Sequence, residues 1–359
     1  MPAPLPPDWE FPEPFWPSLH EAGKQLSKLD GIGQTLRNPS ILLRPLRNRE
    51  AILSSRMEGT YATAQELLLF ERAPGDPSKD DEARNQHREV ANYASALDYA
   101  TQTDQPLGLA LIRQMHQELM TNVRGEDQRP GEFRTGQVGI GQRGKATRFV
   151  PPPHEFLNDV LDQFDSYLHR ENHKYDPLVE CFLVHYQFET IHPFTDGNGR
   201  VGRLLLTVML QRLCKLNKPW LHMSEFFGQD HKLYCNHLYR ISTDNAWSDW
   251  IAYCLEGVAW LAERTISRCN QLLDLREQFR IRVQQAGVQA RILSIAENLF
   301  EQPFISVLDA QKLLGVSYPT ANSYLQKLTE LNILEQLKHH RPKTFYCPEI
   351  WNIMYVGLE

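Results

Sequence analysis

The chain has 359 residues, 42% of them hydrophobic and 23% charged, and a net charge of −6. That size and make-up belong to a globular protein of two or three domains, each able to bury its own core. The acidic balance gives no general pull toward nucleic acid or an anionic membrane, and no apolar run approaches the roughly eighteen residues of a membrane span. Six scattered cysteines without a C-x-x-C pair suit a reducing compartment, and the start lacks a basic-then-apolar leader. A cytoplasmic protein is expected.

The opening stretch MPAPLPPDWEFPEPFWP holds seven prolines in seventeen residues, interleaved with Trp9, Phe11, Phe15 and Trp16. Aromatics this dense favour an arm packed on its own domain over a polyproline ligand. From Leu43 the pattern turns helical, interrupted at Gly59, with a loop over RAPGDPSKDDEA and another helix to about Tyr99. The segment RPGEFRTGQVGIGQRGKATRFVPPP alternates around a glycine-rich centre, which predicts a β-hairpin from about Thr135 to Val150. Helical periodicity returns at His154 and runs, with breaks, to about Gln285.

The last seventy or so residues read as three short helices followed by two strands around a basic turn, the pattern of a winged helix-turn-helix with Ser317 to Leu331 in the recognition position. The fold class expected is therefore mainly α, a helical core with one hairpin followed by a C-terminal winged helix. The divisions are 1–80 for the arm and the helix after it, 81–275 for the core, and 286–359 for the winged helix.

The densest chemistry lies in TIHPFTDGNGRVGRLLL, Thr190 to Leu206. An apolar helix ends near Ile191 and another begins after the glycines, so His192 to Gly199 is a loop opening into a helix N-terminus. Unpaired amides and the helix dipole favour an anion there, and Gly197 and Gly199 let backbone approach a phosphate. Arg200 and Arg203, three residues apart, are expected to aim at the same place. Asp196 suits Mg²⁺, whose remaining shell phosphates can supply. His192, with a pKa expected near neutrality, is the group to take a proton from an attacking hydroxyl. Together these imply phosphoryl or nucleotidyl transfer.

The string HPFTDGNGRVGR resembles the signature of the Fic-domain protein adenylyltransferase family at His192, Phe194, Asp196, Gly197, Asn198, Gly199, Arg200 and Arg203. The resemblance covers roughly Glu82 to Gly257 and implies transfer of AMP from ATP to a protein Ser, Thr or Tyr hydroxyl, self-modification included. It implies His192 as the base and Asp196 on Mg²⁺. Gly197, Asn198 and Gly199 would hold phosphate, Arg200 and Arg203 would hold its β/γ end, and Phe194 is better read as a core anchor. By the same resemblance Val138, Gly139, Ile140 and Gly141 line the nucleotide pocket on a flap whose edge takes the target protein. Tyr234 lies on the adenine side, followed by Cys235 where the family often has a second tyrosine. Upstream, Ser54, Glu58 and Gly59 in SSRMEG match the family's inhibitory helix, whose glutamate would form a bidentate pair with Arg203.

Several alternatives stay open. A kinase-type loop would carry lysine where Gly199 stands, and members with the inhibitory glutamate can also remove AMP. A DNA-binding regulator would use the winged helix, but residues 288–350 hold six Lys/Arg and six Asp/Glu, with positive charge gathered at Lys338, His339, His340, Arg341 and Lys343. A protein-docking role or a homodimer is preferred there to DNA. His169 and His173 have zinc-compatible spacing but no evident third ligand, and no G-x-x-x-x-G-K-[ST] loop occurs.

Overall fold

A computed structural model describes residues 1–36, 38–72, 82–123, 129–141, 148–287, 289–338 and 342–358. The N-terminal arm packs against the core: Trp9 Nε1 donates to Ser248 Oγ at 3.1 Å, and the Tyr175 hydroxyl donates to the carbonyls of Pro7 and Trp9. Helices α1 (Trp16–Gln34), α2 (Ser40–Met57), α3 (Ala64–Arg72), α4 (Glu82–Gln102) and α5 (Leu109–Met120) follow. α6 (Leu157–Leu168), α7 (Pro177–Ile191), α8 (Asn198–Leu213), the single-turn α9 (Ser224–Phe227), α10 (His231–Asp244) and α11 (Trp247–Gln285) complete the core. None of the helices is long and apolar enough to cross a membrane among the described residues.

α7 begins at an Asp176 cap, whose side chain accepts from Leu178 N with Pro177 just inside the helix. Almost every later side chain of α7 is buried, and α8 is buried over most of its length, so this antiparallel pair is the centre of the core. α11 has 39 residues, about 58 Å of helix at 1.5 Å per residue, and packs against α1 over part of that length and against two later helices, Ala290–Asn298 and Pro348–Met354, elsewhere.

The C-terminal unit holds α12 (Ala290–Asn298), β1 (Phe304–Ser306), α13 (Val307–Leu314), α14 (Tyr318–Glu330), β2 (Glu335–Gln336), β3 (Thr344–Tyr346) and α15 (Pro348–Met354). Its strands form one antiparallel sheet in the order β1-β3-β2. α14 matches the expected helix, with Ser317 capping Thr320 N and Leu331 at the far end. The two expected strands are β2 and β3, whereas β1 had no reading as a strand. His339, His340 and Arg341 lie outside the described residues.

The end of this unit touches α2 and the start of α3. Arg49 Nη1 donates to Met354 O at 2.9 Å, Arg56 Nη1 to Gly357 O at 3.4 Å, and Ala64 N to Leu358 O at 3.4 Å. The expected hairpin differs from its reading. Over Thr135 to Val150 the described residues contain one antiparallel bridge, Ile140 with Phe149, and no strand; residues 142–147 lie outside them. Three close backbone bonds centred on Ile140 hold the two arms together, and proline-bounded sequence on the return side supplies no longer ladder.

Candidate active site

The loop between α7 and α8 is fixed from below. Phe194 is fully buried and stacks on His116 with ring centroids 3.8 Å apart, so it is a core anchor. The Asn198 side chain accepts from Phe194 N and donates to Phe194 O, both at 2.8 Å. Gly197 at φ 76° makes the turn into α8. His116 Nδ1 accepts from Gly131 N, which leaves Nε2 as the donor toward Asp196 O at 3.2 Å.

His192 caps α7 in the left-handed region, φ 52°, a conformation a non-glycine residue adopts at a cost. Its carbonyl is held by Arg134 Nε at 3.0 Å. Its Nδ1 lies 3.2 Å from Glu189 O, and a carbonyl can only accept, so the proton sits on Nδ1 and the Nε2 lone pair is free. Burial pushes the imidazole down to about 4, rather than near neutrality as the sequence suggested, so the ring is neutral at physiological pH.

His192 opens on a cavity of about 510 Å³, a volume in the range of small-molecule sites. Its wall includes Glu58 at the cap of α2, Glu189 of α7, and Gly199 and Arg203 of α8, together with Ile140, Phe149, Leu238 and Tyr239.

Arg203 is buried at 2% side-chain exposure and spends its donors on α2: Nε to Ser54 Oγ at 2.8 Å, and Nη2 to Ser54 O at 2.9 Å and to Glu58 Oε1 at 2.8 Å. Against burial, which works to raise it, the Arg203 guanidinium holds the Glu58 carboxyl below its usual value. The pair is thus single-pronged rather than bidentate, because Ser54 takes the Nε side of the fork. Two features position Glu58. α2 ends in a Schellman turn, Thr60 N to Ser55 O and Gly59 N to Arg56 O with Gly59 at φ 85°, which fixes the cap residue Glu58. A Cβ on Gly199 would overlap Glu58 Oε1, so the bare first turn of α8 lets the carboxylate settle at a helix N-terminus, where an anion is favoured.

Other residues sit differently from their sequence readings. Arg200 does not join Arg203 at the cavity. It is buried, its Nη1 pairs with Glu89 Oε2 at 3.1 Å, and the two arginines diverge because each follows a different acid. The Asn198 side chain is spent on the loop, leaving only its backbone to a ligand. Val138 and Gly139 lie outside the cavity wall, while Ile140 and Gly141 form part of it. Tyr234 reaches the cavity, but only 3% of it is exposed and its hydroxyl is bonded to His185 Nε2 at 2.9 Å, so it offers ring surface alone. Sequence reasoning passed over Glu189, His231, Leu238, Tyr239 and Arg148, which the fold brings to the same cavity. Arg148 reaches from the flap to Asn236 Oδ1 at 2.8 Å and over the Tyr239 ring at 4.9 Å.

Asp196 is exposed beside the loop, with Oδ1 accepting from Gly197 N at 2.6 Å and a second oxygen remaining. Among the described residues no group of three or more His, Cys, Asp or Glu could hold an ion by itself. Asp196 is not among the residues that line the cavity, and a single carboxylate with one oxygen remaining fits an ion such as Mg²⁺ that keeps waters and takes its other ligands from a bound molecule. His169 and His173 turn to Asp165 and Glu180 instead of a shared ion.

A family profile described as Fic/DOC family N-terminal matches residues 16–102, and one described as Fic/DOC family matches 106–210, together more than half of the chain. The protein adenylyltransferase Fic of Aedes aegypti is 30% identical over 138 residues, 37% of this chain and 26% of that protein. The protein adenylyltransferase fic-1 of Caenorhabditis elegans is 30% identical over 159 residues, 43% of this chain and 29% of that protein. The aligned region thus spans less than a third of either curated relative. A Fic family protein from Desulfovibrio desulfuricans G20 superposes over 94% of this chain and 98% of that one with a TM-score of 0.58 at 20% identity, a likeness of fold.

Proposed function

Because the chain belongs to the Fic/DOC family, we propose that it is a protein adenylyltransferase that moves AMP from ATP to Ser, Thr or Tyr hydroxyls of target proteins, itself included, and that Glu58 restrains it. The observation that carries the reading is a neutral histidine with a free Nε2 sharing one cavity with a guanidinium that an acid of α2 already occupies. His192 Nε2 takes the proton of the target hydroxyl as its oxygen bonds the α-phosphorus. The bond from that phosphorus to the bridging oxygen of the β-phosphate breaks, and pyrophosphate leaves with the electron pair. Arg203 and the amides of the first turn of α8 receive the phosphate chain. Asp196 is the residue to hold Mg²⁺, which when bound neutralises phosphate charge.

Glu58 inhibits by taking the phosphate's place: a carboxylate at the N-terminus of α8, paired with Arg203, offers the cavity the same charge and donors that a terminal phosphate would use. The flap around Ile140 and Phe149 is the proposed dock for the target, by backbone pairing along its edge. For the C-terminal unit we keep the winged-helix reading, supported by the three helices α12 to α14 and a three-stranded antiparallel sheet, with α15 added after them. Its balanced charge, with Lys343 Nζ engaged by Asn322 Oδ1 at 3.0 Å, favours a protein partner or a second copy over DNA. A cytoplasmic setting fits the six free cysteines.

The test is His192→Ala with ATP labelled at the α-phosphate. ATP binding should persist while transfer falls by roughly 10²–10⁴, the worth of general-base assistance. Transfer close to that of the unchanged protein would remove His192 from the chemistry.

A further inference from the structure

α8 carries two glycines that face acids. A Cβ on Gly199 would overlap Glu58, and a Cβ on Gly202, one turn onward, would overlap Glu189 Oε1. Each missing side chain makes room for a carboxyl against bare helix, yet only one of the two has a partner. Glu58 pairs with Arg203, whereas Glu189 Oε1 is out of contact with solvent and makes no hydrogen bond. Oε1 is sealed against Gly202, but Oε2 likewise has no hydrogen-bond partner and belongs to a residue that lines the cavity, so it is the oxygen left for a donor from outside the chain. Burial also pushes this carboxyl up to about 7.

Its place in the cavity says which donor. Resting on the adenylyltransferase reading, the phosphates lie at Gly199 and Arg203, and the rings of Phe149 and Tyr239, also in the lining, offer faces to the flat base. Glu189 stands one helical turn before His192, whose Nδ1 its own carbonyl receives, and its side chain lies against Gly202, one turn of α8 beyond Gly199. The part of a nucleotide between phosphate and base is the sugar, and a vicinal diol is what a lone carboxylate reads well. We propose that Glu189 is a specificity-determining residue that accepts hydrogen bonds from the ribose hydroxyls of the bound nucleotide.

The test measures equilibrium binding by calorimetry in the full chain carrying Glu58→Gly and His192→Ala, so that the cavity is open and nucleotide is not consumed. ATP should bind this parent about ten- to a hundredfold more tightly than 2′,3′-dideoxy-ATP, the range for hydrogen bonds to a charged group. Adding Glu189→Ala should make the two bind alike. Glu189→Gln, nearly isosteric, should keep a reduced preference and covers the case in which the alanine variant does not fold.

Equal binding of both nucleotides by the parent overturns the inference, as does a preference that survives in Glu189→Ala. A preference over inosine triphosphate but not over the dideoxy nucleotide overturns it too, by assigning Glu189 to the exocyclic amine of the base. A parent that binds no nucleotide sinks the adenylyltransferase reading along with it. ATP binding without sugar discrimination sinks this inference alone.

Discussion

Replacing Glu58 with glycine should convert a restrained enzyme into an active one. The carboxylate makes one charge-assisted bond of 2.8 Å to Arg203, and its side chain is 35% exposed. Hydrogen bonds to charged groups are worth about 1.5–3 kcal/mol, and partial exposure argues for the lower end. ATP that no longer has to displace the carboxylate should therefore react roughly tenfold faster, each 1.4 kcal/mol being a factor of ten. The backbone tolerates the change, since residue 58 is already the cap of α2 and Gly59 keeps its turn. Arg203, almost fully buried, loses its acid partner, so the nucleotide-free variant should melt below the parent. ATP, by supplying an anion, should raise its melting temperature more than it raises the parent's. The assay is incorporation of α-labelled AMP into the protein and into a lysate, with Glu58→Gly/Arg203→Ala as the control that loses the gain. Equal incorporation by parent and Glu58→Gly at ATP well below saturation, with Mg²⁺ in excess, would refute the role given to this acid.

Gly199→Ala should also evict Glu58 but should yield no gain in transfer, because a phosphate needs the same bare turn. In the Glu58→Gly background it should cost roughly tenfold or more, from an overpacking penalty of about 1–3 kcal/mol, and increased labelling would contradict this. Acid should destabilise the fold: burial pushes His116, His192 and His222 down to about 4 and His185 to about 3 from 6.5, so between those values the unfolded chain binds more protons and stability falls as pH drops. Glu50 and Glu189, raised to about 7, act in the opposite sense between 4.5 and 7, but four histidines outweigh two acids. Urea midpoints should be lower at pH 5 than at pH 7, and the reverse order would show that these rings are not buried neutral.

What the sequence disclosed was local. His192, Asp196 and the glycines of the loop announce themselves because a helix end, a turn and a helix start lie within a dozen residues, and α14 was legible as the third of three short helical segments. What it hid depends on distant partners. Arg200 finds Glu89 111 positions away, and nothing near Arg200 says so. Glu189 reads as one polar residue in an apolar helix, and only the packing of α8 reveals the glycine that admits it. The flap alternates like a hairpin, but alternation does not set how many backbone pairs close, and one bridge is formed among its described residues.

The bonds between α2 and the segment from Met354 to Leu358 bear on how the molecule is made. Arg49 and Met354 are 305 positions apart, and Arg56 and Gly357 are 301 apart. Contacts of such separation close large loops and come late in folding, and a chain emerging from the ribosome cannot form them until its distal residues appear. The helix bearing Glu58 is therefore among the first made and among the last to be fully tied down, while the α7–α8 pair, joined by a short loop, can assemble much earlier. On the proposed reading, a newly made chain would pass through an interval in which the α7–α8 loop is in place before the outer ties on the helix that delivers Glu58 have closed.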